Sequence, residues 1–222
     1  MLGLHIHEIR NQFTYIEGNV SILNKALEND ARSGVFLTLQ GILQSTTQIS
    51  RLLWAPRKNG KARAEQLRKF LGLPDDHPLN NNDVQTLFDN VDEANEEWVK
   101  KTKGKYILYD FIGDLGQSPH KDVEIDNIFR SFDTESKTYV YRGKGFNMEA
   151  LLVALKDVSD CINKAHYHLF PDQWKDPDEK DDTQQEAQVS NPAKKKPAAK
   201  KKPTAKKKAA PKKKPVAKKE KK

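Results

Sequence analysis

Residues 2–27, LGLHIHEIRNQFTYIEGNVSILNKAL, carry Leu2, Ile6, Ile9, Phe13, Ile16, Val20, Leu23 and Leu27 at alternating steps of four and three. An α-helix turns once in about 3.6 residues, so these steps return every apolar side chain to one stripe. The same period recurs at Val35, Leu39, Ile42, Thr46, Ile49 and Leu53, and at Val84, Leu87, Val91, Ala94 and Trp98. It appears a fourth time at Met148, Leu151, Leu155, Val158, Ile162, Ala165 and Leu169. Four one-sided stripes close on one another as a bundle, which buries every apolar face.

The connections refine this expectation. Asn29-Asp30 and Ser33-Gly34 make a tight link, so the first two helices are expected to be antiparallel. Pro56 to Gly60 ends the second helix, and a short helix is expected over Arg63–Leu71. Leu73 to Pro78 and three asparagines form a loop, after which Asp83 is expected to cap the third helix. Ile128–Arg142 reads as a β-hairpin, because Lys137–Arg142 alternates β-branched and aromatic residues behind the turn Asp133-Thr134-Glu135-Ser136. Gly143–Gly145 breaks this pattern, and Asn147 is a cap for the last helix. From Asp172 to Glu186 the chain becomes polar and acidic. The expected fold is mainly α: a four-helix-bundle-like domain over residues 1–170 with a hairpin at about 125–142. An acidic linker follows at 171–190, then a disordered basic tail at 191–222.

Charge divides the chain sharply. Residues 191–222 hold 16 Lys and a single acid, Glu220, whereas residues 1–190 hold 23 Lys and Arg against 30 Asp and Glu. The net charge of +8 is thus a sum of opposites, and the basic pI belongs to the tail. One cysteine, Cys161, excludes an intramolecular disulfide. No apolar run reaches membrane-spanning length, and His5, His7, Glu8 and Arg10 interrupt any signal-peptide pattern. These features predict a soluble, cytoplasmic protein that faces the nucleoid.

The tail repeats lysine triplets every six residues. Its candidate polyanion contacts are Lys194, Lys195, Lys196, Lys200, Lys201, Lys202, Lys206, Lys207, Lys208, Lys212, Lys213 and Lys214, then Lys218 and Lys219. Lysine neutralises phosphates as a point charge and releases counterions. The tail lacks Arg, which reads guanine edges, and aromatics, which stack on unpaired bases. Binding is therefore expected to ignore sequence and to weaken steeply with salt. Residues 193–222 resemble the lysine/alanine/proline-rich arms of linker histones and are similar to those of some bacterial nucleoid proteins. The resemblance is one of composition; it implies DNA binding and compaction, and says nothing of the folded domain.

Two constellations in the domain bear on chemistry. His7-Glu8-Ile9-Arg10 resembles the phosphoacceptor box of sensor histidine kinases, with Gln12 where that family has Pro. The resemblance makes His7 a candidate phosphoacceptor, and a relay rather than an autokinase, because no Gly-rich ATP-binding domain follows. In an up-down bundle the end of the last helix meets the start of the first, which would bring His166 and His168 toward His5 as candidate metal ligands. Boundary packing is the other reading of these histidines. The acid-rich run Asp110, Asp114, Asp122, Glu124 and Asp126 reads either as a cation site or as a solvated loop. No Walker loop, Gly-x-Gly-x-x-Gly, Cys-x-x-Cys or Gly-x-Ser-x-Gly occurs. The resulting expectation is non-enzymatic nucleic-acid binding by the tail, no cofactor, and a helical domain that binds a protein partner or itself. The alternative is a helical enzyme, relay or metal protein that the tail merely localises.

Overall fold

The computed structural model describes residues 2–108, 110–117 and 122–174. The acidic stretch from residue 175 and the whole lysine tail lie outside the described residues. Six α-helices and a four-stranded sheet form the regular structure of the described part: α1 (Leu2–Glu28), α2 (Arg32–Leu53), α3 (Lys58–Leu71), α4 (Asn82–Thr86), α5 (Val91–Thr102), β1 (Phe111–Ile112), β2 (Arg130–Asp133), β3 (Thr138–Tyr141), β4 (Lys144–Asn147) and α6 (Met148–Leu169). None of these helices is long and apolar enough to cross a membrane.

The first two stripes become an antiparallel helical hairpin. Its link is held by Ala31 N donating to Ala26 O at 2.8 Å. Small residues let the two backbones approach: a Cβ on Gly34 would lie 3.1 Å from that of Ala26, and one on Gly41 would meet the Asn19 amide at 2.8 Å. Both pairs sum to 60 in residue number, so they belong to one antiparallel register.

α2 is the central helix, buried from Val35 to Leu53 except along one row, Leu37, Gln44 and Gln48. Its buried faces cannot leave polar groups to solvent, and four of its hydroxyls find a carbonyl. Thr38 and Thr46 bond back to the preceding turn, at 2.8 Å to Gly34 O and Ile42 O. Thr47 donates outward to Val84 O at 2.8 Å and Ser50 to Leu79 O at 2.5 Å. Arg51 Nε donates to Gln85 O at 2.6 Å, and its guanidinium pairs with Asp89. These bonds fasten the 79–89 segment onto α2.

The third stripe, expected as one helix, is two. α4 ends at Thr86, and α5 restarts after Asn90, whose φ of 39° is left-handed. The break exposes backbone carbonyls that two arginines collect. Arg51 takes Gln85 O; Arg142 binds Leu87 O and reaches Val91 O at 3.5 Å. Asn81, not Asp83, caps the segment, accepting from Asp83 N at 2.8 Å. The short helix after Pro56 begins at Lys58, five residues earlier than expected, and ends at Gly72 with φ 71°. The long helices are therefore α1, α2 and α6, and the remaining side of their core is closed by the sheet together with the broken third stripe.

The sheet contains the expected hairpin and extends it on both sides. β2 pairs antiparallel with β3, from Arg130↔Tyr141 to Asp133↔Thr138. β1 adds in parallel to β2, and β4 pairs with β3 through Tyr141↔Lys144. The glycine-rich break at 143–145 is thus a second hairpin. Arg142 (φ 49°) and Gly143 (φ 72°) make its two-residue turn, both left-handed, as tight hairpins require. Phe132, Tyr139, Tyr141 and Phe146 face the helices and join one core with Ile6, Leu39, Ile42 and Ile162. Asn147 Oδ1 then accepts from Ala150 N at 2.8 Å and caps α6, as its position predicts.

Gly143 is the tightest point of this arrangement, because a Cβ there would lie 2.5 Å from Asp126 O and 2.8 Å from Asp126 Cα. Gly143→Ala is expected to destabilise the domain by about 2 kcal/mol or more, combining a left-handed φ with a backbone clash. Gly41→Ala meets only the movable Asn19 side chain and sits in a helix that favours Ala, so it should be near neutral. Denaturant midpoints for the two variants measure the contrast, and equal losses would contradict it.

Candidate functional site

The start of α1 and the end of α6 do meet, as an up-down arrangement demands. The pairing selects two histidines from different predictions. His7 Nδ1 lies 3.2 Å from His166 Nε2, with the rings stacked at 5.5 Å and 24° between planes. Phe170 closes one side, 4.7 Å from the His166 ring and 5.8 Å from that of His7, and Gly3 leaves room for its ring. Pro171–Trp174 follows as a 3-10 turn, although its composition reads as the start of the acidic linker. The turn folds back because Trp174 Nε1 donates to His166 Nδ1 at 2.9 Å. The Arg10 guanidinium sits 5.2 Å from the centre of the Trp174 ring.

This chain of bonds dictates where the protons are. Indole N–H can only donate, so His166 Nδ1 must be unprotonated. A neutral His166 then carries its proton on Nε2 and donates it to His7 Nδ1. His7 in turn keeps its own proton on Nε2. His166 is 3 % exposed, and burial, together with the nearby His7 and Arg10 charges, holds its pKa below the ordinary histidine value. A second proton on His166 would have to point at the indole N–H and would break the contact.

His5 lies half-buried two residues earlier, its pKa lowered by burial and then by the positive charge of Arg63 on α3. His168 is exposed, with its ring edge against Tyr167 at 6.0 Å. His5, His166 and His168 are therefore not gathered. Among the described residues no group of three His, Cys, Asp or Glu is placed to hold a metal ion. The acid-rich run is likewise dispersed: Asp110 pairs with Arg130 at 2.9 Å, Asp126 with Lys101 at 2.6 Å, and Asp114 accepts from Gly116 N at 2.7 Å. Cys161 is half-buried beside the α6 stripe. The candidate lysines from Lys194 to Lys219 lie outside the described residues.

One buried histidine escaped the sequence reading. His77, 7 % exposed in the loop before α4, stacks on Trp54 at 5.0 Å. Its Nδ1 accepts from Leu79 N at 3.2 Å, which places the neutral proton on Nε2, and that atom has no hydrogen-bond partner among the described residues. Burial depresses its pKa against the opposing charges of Asp157 and Asp76. A histidine flanked by Asp76 and Pro78 reads locally as an exposed loop residue; only Trp54, 23 residues upstream, buries it.

Histidines with lowered folded-state pKa values bind fewer protons folded than unfolded. Their stabilising contribution is complete above the unfolded value of about 6.5 and is lost as pH falls below it. The domain is accordingly expected to lose stability on acidification below about pH 6.5. His166 should titrate below that value and show the Nε2–H tautomer in imidazole nitrogen spectra. A His166 carrying its neutral proton on Nδ1, or titrating above 6.5, would contradict the bonding order.

No family model, no curated protein and no solved structure matches this chain.

Proposed function

We propose that the protein binds DNA, without sequence preference and without catalysis, through residues 191–222, while the helical domain engages a protein partner or a second copy. The observation that carries this reading is the concentration of 16 lysines in 32 residues against one acid, with no Arg and no aromatic among them. Such a segment has nothing with which to form a core, and its proline and alanine favour an extended backbone. Its charge density matches a phosphate array and offers no reader of base edges. At about 3.1 Å per residue, the segment spans at most roughly 100 Å, enough to follow a duplex for some 30 base pairs.

The domain's share of the proposal rests on its surface. α1 has a second, solvent-facing stripe in which Leu4, Tyr15 and Ile22 are 68 %, 55 % and 53 % exposed. Their separations of 11 and 7 residues are close to whole helical turns, so the three lie in line, interleaved with Glu8, Asn11 and Gly18. A mixed apolar and polar face of this kind suits a protein contact.

Removing residues 191–222 tests the tail directly. The full chain should bind a mixed-sequence 30-base-pair duplex with a log–log salt slope of about −7, as expected if half the lysines replace counterions. The truncated chain should bind about 100-fold or more weaker at 0.1 M salt. Unchanged affinity after truncation would sink the tail reading, and a clear preference for RNA over DNA would reassign its partner.

A further inference from the structure

The acidic excess of residues 1–190 is unevenly placed. Residues 1–174 carry 21 Lys and Arg against 24 Asp and Glu, so the body is nearly balanced; residues 175–190 add two lysines and six acids. Within the body the two halves have opposite sign. Residues 2–81 hold ten basic and seven acidic residues, and residues 82–174 hold 11 basic and 17 acidic. The positive excess is concentrated in and just before α3, where Arg57, Lys58, Lys61, Arg63, Arg68 and Lys69 face one acid, Glu65.

Three of these six cations are occupied in holding the fold. Arg68 donates to Leu53 O at 2.5 Å and pairs with Asp75 at 2.6 Å, which caps the C-terminus of α2. Arg63 reaches Arg51 O at 3.5 Å, and Lys69 pairs with Glu65 at 3.1 Å. Arg57, Lys58 and Lys61 have no hydrogen-bond or ion-pair partner among the described residues, and all three are exposed. They cluster within about one helical turn at the entry to α3. The core takes Ala64 and Leu67 from this helix, with Leu71 packed at its edge, and none of the three free cations.

The position of α3 matters as much as its charge. The first turns of α1 are close both to α3 and to the Pro171–Trp174 turn. His5 is near enough to Arg63 for that charge to lower its pKa, and Arg10, five residues on, contacts Trp174. The free cations therefore belong to the same end of the body as the last described residue before the linker. The 16 residues from 175 to 190 extend at most about 55 Å. A strand of phosphates gripped by the tail is thus held within reach of α3, at a high effective concentration.

We propose that Arg57, Lys58 and Lys61 form a second nucleic-acid contact, in which the folded domain touches the phosphate backbone of the duplex that the tail captures. This rests on the tail reading for its partner. The contact acts through charge, three cations within about one helical turn neutralising phosphates. It orients the body on the duplex, with the acidic helix α5 (Asp92, Glu93, Glu96, Glu97) not taking part in the contact.

The test is the full chain carrying R57Q, K58Q and K61Q together, compared with wild type in a salt titration on the 30-base-pair duplex. The three side chains hold no fold contact, so the melting temperature should be unchanged. The log–log slope should become shallower by about 2 to 3, and binding at 0.1 M salt should weaken about tenfold or more. Slope and affinity equal to wild type would overturn the contact. Loss of binding on tail truncation alongside an unaffected triple variant would overturn it while leaving the tail reading intact. If polyglutamate binds the wild type and the triple substitution abolishes that binding, with duplex binding untouched, the face belongs to an acidic protein and the proposal falls.

Discussion

The fold depends on a helix that keeps only one row, Leu37, Gln44 and Gln48, open to solvent. Because the rest of α2 is enclosed by α1, α4 and the sheet-bearing side of the core, every polar atom on its buried faces must be satisfied internally or cost about 1–3 kcal/mol. Thr47, Ser50 and Arg51 meet this requirement by donating to the carbonyls of Leu79, in the loop, and of Val84 and Gln85, in the short helix α4. The irregular 72–90 segment is thereby as much a part of the core as the helices. At the end of α2, Arg68 performs the same service for Leu53 O. The basic residues of α3 thus divide into those that finish α2 and those left free, and the division is a consequence of burying α2.

How legible this was depended on whether the determining contact was local. The stripes of α1, α2 and α6, the Asn147 cap and the β2–β3 hairpin follow from neighbours a few residues apart, and the sequence alone places them well. The third stripe has equally good spacing, yet it breaks at Leu87–Asn90. The groups that stabilise the break, Arg51 and Arg142, are more than 35 residues away in one direction and more than 50 in the other. Periodicity cannot register a carbonyl collected from such a distance. The second hairpin was missed for another reason. Lys144-Gly145-Phe146-Asn147 has one apolar residue and no alternation to detect, and it becomes a strand because Arg142-Gly143 turns it onto β3.

The histidines make the same point at the site. The topology that brings the end of α6 to the start of α1 was inferable from the stripes. Which imidazoles meet was not, because His166 and His168, two residues apart, point to nearly opposite sides of α6 and the spacing alone does not choose between them. His166 turns inward and pairs with His7, and the ring that completes the set is Trp174, supplied by a turn whose composition resembles linker. The resulting line of donors serves to fasten the end of the body. In sequence, charge divides the chain into a near-neutral described part, an acidic stretch over 175–190 and a lysine array over 191–222.

In the proposed binding mode, phosphates are met by the tail and by the entry to α3, and by nothing else on the body. Backbone amide spectra of the full chain, recorded during titration with a mixed-sequence duplex at 0.1 M salt, test this most directly. Resonances of residues 191–222 and 57–61 are expected to move together and saturate together, while those of α5 stay in place. Shifts centred on α5 or the sheet, or a tail whose resonances do not respond to the duplex, would contradict it.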